Sequence, residues 1–189
     1  MNEQLVRLDR ALDQMSALLG QVRPEQTGDP TPCAEWDVAA LAEHLVADLG
    51  RFTVAARGGQ PDWSQPVPPV GGDWQAAFDR AATALRSAWL EASDLDATVQ
   101  LPIGEQPLSF IANQHLAEFA VHAWDLERAT GHTGQLDEEL AATALAWARQ
   151  ALKPEYRGRS FGAEVPVPAD APASDRLAGF FGRSPGWTP

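Results

Sequence analysis

The stretch LSFIANQHLAEFAVHAWDLERATG, residues 108–131, decides the fold, because it predicts one long helix with two adjacent stripes. One stripe is apolar and recurs at helical spacing, with Ala112, Leu116, Phe119, Ala123 and Leu126. The other falls within an arc of about 80° and is mostly polar, with Ile111, His115, Glu118, His122 and Asp125. Gly131 suits the left-handed position after a helix. We expect the polar stripe at the margin of the buried face, where ionisable side chains need partners.

Regularly spaced apolar residues predict further helices on both sides of this stretch. We expect them at residues 3–22, from Asp37 to Gly58-Gly59, from Asp73 to Ala92 and from Asp137 to Leu152. Residues 97–103 alternate weakly and predict a short strand or an extended link. Helices with one apolar face each bury those faces most economically in a bundle. We therefore predict a mainly α fold built on a four-helix bundle.

The C-terminal residues 154–189 differ from the rest, because they hold six of the fifteen prolines. Phe161–Pro168 predicts an extended segment, and Ser174–Phe181 predicts a short capped helix. We expect two parts, a helical bundle over residues 1–153 and a short appendage over residues 154–189 that packs on it.

Composition excludes several classes of function. The chain has 26 acidic and 14 basic residues, a formal net charge of -12, which is unsuited to binding nucleic acid or an anionic membrane. No apolar run reaches the length of about 18 residues that a membrane span needs. Residues 1–10 lack the apolar core of a signal peptide, so we expect a cytoplasmic protein. The single cysteine, Cys33, excludes an intrachain disulfide and an all-cysteine zinc site.

The polar stripe suggests a metal site. Glu118 and His122 are four residues apart, so their side chains project from the same side of the helix. His44, on the second predicted helix, is the best candidate for a third ligand. Two histidines and one carboxylate suit Zn²⁺, Ni²⁺ or Fe²⁺ and leave positions open for water or substrate, as in catalytic sites. The alternative is an ordinary Glu/His pair at the surface or in a hydrogen bond.

Two segments carry a family resemblance. The first is TPCAEWDV at residues 31–38, which continues through Leu41 to His44, and the second is EFAVHAWDLERATG at residues 118–131. Together they resemble the actinobacterial branch of the DinB-like superfamily that includes mycothiol-dependent maleylpyruvate isomerases. The ending resembles that branch as well, at Phe161–Asp170, Asp175-Arg176-Leu177 and Gly182-Arg183.

The resemblance implies a DinB-like four-helix bundle that binds one divalent metal, with Zn²⁺ expected first, through His44, Glu118 and His122. It also implies that the metal activates a small-molecule thiol, with mycothiol as co-substrate, for isomerisation or S-transfer on an electrophilic substrate. The chain is shorter at its C-terminus than the isomerase, so maleylpyruvate as the substrate does not carry over. Arg176 and Arg183 are candidate stand-ins for a basic residue that would bind a carboxylate substrate.

Two carboxylates are placed to hold the ligand histidines. Asp48 follows His44 by four residues, and Asp125 follows His122 by three, so either can accept from the second ring nitrogen. The alternative for Asp125 is an ion pair away from the site, with Arg128 or Arg86.

The remaining candidates have a structural interpretation that we favour. Three roles are open to His115, as a fourth metal ligand, a proton shuttle or a hydrogen-bonded neighbour of the site, and we favour the last. Cys33 is expected to pack as a small apolar residue. Trp36 and Trp124 lie in the two family segments and are candidates to line a pocket. We expect a solvated side chain at His132 and core positions for Trp74, Trp89 and Trp147.

Three functions therefore compete. The first is a metal- and thiol-dependent isomerase or transferase, either monomer or homodimer, with no nucleic-acid or membrane partner. The second is a non-catalytic metal-binding or stress-response protein of the same fold. The third is a helical interaction protein whose polar stripe is a buried hydrogen-bond network, which predicts no stoichiometric metal.

Overall fold

Six helices and one β-hairpin form the described part of the chain, which in this computed structural model is residues 2–92, 94–101, 103–132, 136–158 and 161–189. The helices are α1 (Glu3–Leu19), α2 (Val38–Ala56), α3 (Trp74–Glu91), α4 (Leu108–Thr130), α5 (Glu138–Ala151) and α6 (Ala173–Phe180). The antiparallel hairpin consists of β1 (Thr98–Leu101) and β2 (Gly104–Pro107). The prediction of a mainly α fold is confirmed.

Helix α4 is the centre of the molecule. Helices α1 to α4 form a bundle in which α4 packs against α1 and α2, while α3 packs against the same two helices from the opposite side. Helices α5 and α6 pack on each other and on the outer side of α4. As a result 17 of the 23 residues of α4 are buried, so its polar stripe lies inside the protein. The stripe was expected at the margin of the buried face. Four of its five residues are buried, because α5 and α6 cover the outer side of α4, and Glu118 alone of the five is partly exposed.

Carboxylate and amide side chains set the starts of the bundle helices. Asp37 accepts a hydrogen bond from the backbone N–H of Ala40, and Asp73 accepts one from Ala76. Such caps satisfy N–H groups that have no partner inside the helix. The cap at Asp37 fixes where α2 begins and thereby where His44 lies along it.

The hairpin positions the start of α4. Because Pro107 offers no side-chain cap, the backbone N–H groups of Leu108 and Ser109 donate instead to the carbonyl oxygens of Ala97 and Leu95. Residues 97–103 were expected to form a single short strand or a link. The second strand was missed because Gly104 and Pro107 weaken its strand pattern.

The C-terminal segment is fastened to the helices by polar contacts. Helix α6 has no cap from its own side chains, contrary to the prediction of a capped helix. Instead Glu138 of α5 accepts hydrogen bonds from both the backbone N–H and the hydroxyl of Ser174. Asp175 accepts from the indole N–H of Trp124 and from Arg128, which ties α6 to α4. Among the described residues, no helix is long and apolar enough to cross a membrane.

Candidate metal centre

The three predicted metal ligands converge where α2 packs against α4. The Nε2 atom of His44 lies 2.9 Å from Oε1 of Glu118, and Nε2 of His122 lies 3.1 Å from the same oxygen. Each of the three residues offers one ligand atom, and these three atoms all lie within 4.8 Å of one another. Two ligands come from successive turns of α4 and the third from a helix distant in sequence, so the site depends on the packing of the two helices.

The donor set fits a small divalent cation. Tetrahedral zinc with bonds of about 2.1 Å places neighbouring ligand atoms about 3.4 Å apart. The observed separations of 2.9 and 3.1 Å would need to widen only slightly. The Glu118 side chain is 30 % exposed, so the cluster is open on one side and a coordinated ion would keep positions for another ligand.

Asp125 fixes the ring of His122. Its Oδ2 lies 2.9 Å from Nδ1 of His122, so the Nδ1–H donates to Asp125 and Nε2 faces Glu118. Asp125 is fully buried. Burial alone would raise the pKa of Asp125, but the hydrogen bond from His122 and the charge of Arg183 lower it below its usual value. The predicted alternatives for Asp125 were wrong, because Arg128 pairs with Asp175 and Arg86 pairs with Asp9 and Asp13.

The electrostatics of the cluster favour a carboxylate between two imidazoles. Burial opposes ionisation of Glu118, yet His122 and His44 together hold the pKa of Glu118 well below its usual value. For His122, burial lowers the pKa, but Glu118 and Asp125 outweigh it and raise the pKa to about 9. Without a metal, a proton on His122 therefore occupies the place that a cation would take.

Asp48 differs from its expected role. Its Oδ2 lies 3.4 Å from Nε2 of His44, the nitrogen that also faces Glu118, and not beside the second ring nitrogen. Arg51, one turn further along α2, donates to Oδ1 of Asp48 at 2.6 Å. Burial and the charge of Glu118 raise the pKa of Asp48, despite the opposing effect of His44 and Arg51. Asp48 thus brings a second carboxylate to the edge of the cluster.

A cavity of about 700 Å³ opens above the cluster. Trp36 forms one side of the cavity. The centre of its ring lies 4.3 Å from that of His44 and 5.7 Å from that of His122. The prediction that Trp36 lines a pocket is therefore confirmed. Trp124 was predicted wrongly, since it is fully buried and its indole N–H donates to Asp175. Trp147 was expected in the core but is partly buried and lines the cavity.

Cys33 and Arg183 meet at the cavity wall. Arg183 contacts Asp125 with Nε at 3.2 Å and Nη2 at 2.8 Å, and Nη2 is also 3.5 Å from Sγ of Cys33. Cys33 was expected to pack as a small apolar residue, and it lies partly buried at the cavity wall. Burial, partly offset by Arg183, raises the pKa of the Cys33 thiol to about 11. Of the two candidate basic residues, Arg183 lines the cavity, and Arg176 is not part of its described wall.

His115 lies in the same stripe but outside the cluster of ligands. Its ring stacks on Phe52 with centroids 4.1 Å apart and an interplanar angle of 7°. Neither ring nitrogen has a hydrogen-bond partner among the described residues, so the expected hydrogen-bonded neighbour is not found. Burial lowers the pKa of His115 to about 3, which keeps the imidazole neutral. His132 was expected to be solvated but is partly buried, with Nε2 3.1 Å from the carbonyl oxygen of Gln21.

Comparison with known proteins identifies the family. Residues 8–127, well over half of the chain, match the family described as mycothiol maleylpyruvate isomerase N-terminal domain. The chain belongs to this family. Two relatives from Mycobacterium tuberculosis, MT0763 of strain CDC 1551 and Rv0738 of strain H37Rv, are each 37 % identical to it over 187 residues. The alignments cover 95 % of this chain and 97 % of each relative, and both relatives are described as uncharacterized.

Solved structures of the family support the fold. The chain is similar to the crystal structure of the mycothiol-dependent maleylpyruvate isomerase, with a TM-score of 0.53 and 17 % identity, over 74 % of this chain and 67 % of that one. A histidine-to-alanine mutant of that enzyme matches with a TM-score of 0.50 and 18 % identity over the same shares. The prediction of a DinB-like helical fold is confirmed.

The family match ends at residue 127, but the C-terminal segment beyond it also contributes residues to the site. That segment supplies Arg183 to Asp125 and the rings of Phe161 and Phe181 to the cavity wall. From the sequence, Arg183 was only a candidate for binding a carboxylate substrate. Its contact with Asp125 was not foreseen, because the two residues are 58 positions apart and no local pattern links them.

Proposed function

We propose that this protein is a metal-dependent enzyme that uses a mycothiol-type small thiol to attack an electrophile, in an isomerisation or an S-transfer. The observation that carries the proposal is the convergence of His44, Glu118 and His122 at the base of a cavity of about 700 Å³. Such a cavity has the size of a typical small-molecule site. Membership of the mycothiol maleylpyruvate isomerase family supports mycothiol as the thiol and isomerisation as one of the reactions.

The chain's own residues would prepare the site. His44, Glu118 and His122 would hold a divalent ion, with zinc expected first and nickel or iron as alternatives. When bound, that ion would keep a coordinated thiol deprotonated near neutral pH, since a free thiol has a pKa of about 8.5. Asp125 would direct Nε2 of His122 toward the ion by accepting the hydrogen bond from Nδ1–H. Trp36 shields both histidine rings on one side.

The chain's single cysteine is unsuited to be the nucleophile. Burial raises the pKa of Cys33 to about 11, so its thiol remains protonated at neutral pH. This favours a small-molecule thiol over Cys33 as the nucleophile at this site.

A cobalt-substituted sample tests the proposal. Titration with mycothiol should add a sulfur-to-metal absorption and shift the visible cobalt bands, because thiol sulfur would join the two imidazoles and the carboxylate. Bacillithiol serves as a second thiol, and His132→Ala is the matched histidine variant, since His132 lies outside the cluster. His122→Ala should abolish the cobalt spectrum, and His132→Ala should retain it.

Two results would contradict the proposal. Unchanged cobalt spectra with both thiols would rule out a thiol ligand and leave a non-catalytic metal-binding protein. Absence of cobalt uptake by the parent protein would rule out the metal site as well.

A further inference from the structure

The cavity beyond the metal cluster has a mainly aromatic wall. Rings from four different parts of the chain face it, including those of Trp63, Phe110, Trp147, Tyr156, Phe161 and Phe181. Two aliphatic side chains of the hairpin region, Leu101 and Ile103, continue this wall, and Ile103 is 48 % exposed. Such a surface binds apolar and aromatic groups by burying their area.

Arg51 is one of two guanidinium groups on the described wall, and it is already engaged. Its Nη1 donates to Asp48 at 2.6 Å, and its Nη2 donates to the carbonyl oxygen of Gln65 at 2.8 Å. Its guanidinium carbon also lies 5.6 Å from the centre of the Trp63 ring. A carboxylate ligand that approached Arg51 would have to share its charge with Asp48, which already pairs with it.

Arg183, the other guanidinium, has a partner at each nitrogen. Nε and Nη2 donate to Asp125, and Nη1 donates to the carbonyl oxygen of Phe181 at 3.1 Å. The side chain is 10 % exposed. The charge of Arg183 therefore compensates a buried carboxylate of the protein and is not free to compensate a ligand.

The metal cluster does not supply a spare positive charge either. A divalent ion there would be balanced by Glu118 and by the sulfur of a bound thiol, which carries a negative charge when deprotonated. Asp48 and Asp125 are the other carboxylates at the site, and each has its own arginine. Among the described wall residues, an anionic ligand would find no unpaired cation.

We propose that the electrophile is an uncharged aromatic or similarly apolar molecule and not a dicarboxylate such as maleylpyruvate. This inference rests on the proposed thiol-dependent function of the same site. Placing a carboxylate in a partly enclosed site whose described wall offers no free cation is unfavourable, because its hydration is lost and not replaced. An aromatic ring with an ester or other uncharged group loses little hydration and gains contact with the six rings of the wall.

A matched pair of benzylic chlorides isolates the effect of charge. Methyl 4-(chloromethyl)benzoate is neutral, and 4-(chloromethyl)benzoate differs from it only by a free carboxylate. With either compound, the thiol sulfur forms a bond to the benzylic carbon while the carbon–chlorine bond breaks. Chloride leaves with the bonding electrons, and the thiol proton passes to the buffer. Rates with mycothiol and metal-loaded protein are corrected for the reaction without protein.

We expect kcat/KM for the ester to exceed that for the acid at least tenfold, with no isomerisation of maleylpyruvate. Equal or faster reaction of the acid, or isomerisation of maleylpyruvate, would overturn this inference while leaving the thiol-dependent function intact. If no compound reacts, equilibrium binding decides the inference, and the cobalt titration with thiols decides the proposed function separately. Calorimetry with unreactive methyl 4-methylbenzoate and 4-methylbenzoate should then show at least tenfold tighter binding of the ester. Equal binding, tighter binding of the acid or no binding of either would overturn the inference.

A charge added to the wall provides an independent test. Ile103→Arg places a free cation at a half-exposed wall position, where folding tolerates a long polar side chain. Leu90→Arg is the matched control, because Leu90 is 74 % exposed on α3 and is not part of the described wall. We expect Ile103→Arg to narrow the ester-to-acid ratio several-fold and Leu90→Arg to leave it unchanged. An unchanged ratio in Ile103→Arg, or equal changes in both variants, would overturn the role of charge.

Discussion

Asp125 binds Nδ1 of His122 at 2.9 Å, and it thereby directs the other ring nitrogen of His122 toward Glu118. A carboxylate that orients a ligand histidine raises the basicity of that histidine and fixes its tautomer. In this protein the orienting carboxylate is itself held by Arg183 from the C-terminal segment. A chain of three contacts therefore connects the metal cluster to the end of the polypeptide.

We predict that Asp125→Asn weakens metal binding by about 10- to 100-fold, the usual range for loss of such a partner. The amide has the same shape but no charge, so it holds His122 less firmly and leaves Arg183 uncompensated. Competition with a chelator, followed by cobalt absorbance, measures the affinity. Asp175→Asn is the matched control, because Asp175 also connects α4 to α6 but contacts Trp124 and Arg128. Equal affinities of the two variants would contradict this role of Asp125.

Removal of Arg183 should destabilise the whole fold. Arg183→Leu would leave Asp125 buried with one partner fewer, and loss of one member of a buried ion pair typically costs about 3–5 kcal/mol. Urea unfolding of the metal-free protein measures the change in the free energy of unfolding. Arg176→Leu is the control from the same segment, since Nε of Arg176 is buried with no hydrogen-bond partner in the part of the chain that the structure describes. If Arg183→Leu lowered the free energy of unfolding no more than Arg176→Leu does, the ion pair of Asp125 and Arg183 would contribute little to stability.

His115 should make the fold sensitive to acid. Its pKa is about 3 in the folded protein, because of burial, whereas an exposed histidine has a pKa near 6.5. The unfolded chain therefore binds a proton that the folded chain does not, and stability falls as the pH drops from about 6.5 toward 3. The slope from this single group is about 1.4 kcal/mol per pH unit.

His115→Leu tests this prediction. Since the imidazole has no hydrogen-bond partner among the described residues, the variant should be as stable as the parent at pH 7, or more stable. It should also lose less stability between pH 6 and pH 4.5 in urea unfolding experiments. His132→Leu serves as a control for loss of a histidine outside this stripe. Parallel pH profiles of His115→Leu and the parent protein would contradict the account.

Metal affinity should rise with pH. Without metal, Glu118 and Asp125 outweigh the effect of burial and raise the pKa of His122 to about 9, so at pH 7 a proton must leave before Nε2 can bind a cation. We expect affinity to increase up to about tenfold per pH unit between pH 7 and 9 and to level off above that range. Calorimetry in two buffers of different ionisation enthalpy should detect release of about one proton at pH 7. Affinity that is independent of pH across this range would contradict the proposed state of His122.

The sequence predicted what depends on local spacing. Glu118 and His122 follow from the helical repeat of α4, and the start of α2 follows from Asp37, a residue type that commonly caps helices. His44 required both the helix prediction and the family resemblance. The structure brings it to Glu118 because α2 and α4 are neighbours in the bundle.

Features that depend on distant packing were missed. The burial of 17 of the 23 residues of α4 requires α5 and α6 on its outer side, and no periodicity within residues 108–131 shows this. The contact between Asp125 and Arg183 and the ring stack of His115 on Phe52 join segments far apart in sequence. Side-chain partners of this kind are set by tertiary structure, so a single sequence contains no local signal for them.

Metal content after purification tests the central claim most directly. Elemental analysis should find about one equivalent of zinc, nickel or iron per chain in the parent protein and in His132→Ala. The same analysis should find less than a tenth of that in His44→Ala and His122→Ala, provided that circular dichroism shows both variants folded. Equal metal content in the parent and the two ligand variants would contradict the assignment of His44, Glu118 and His122 as the metal site. So would a parent protein that holds no metal even after dialysis against each ion.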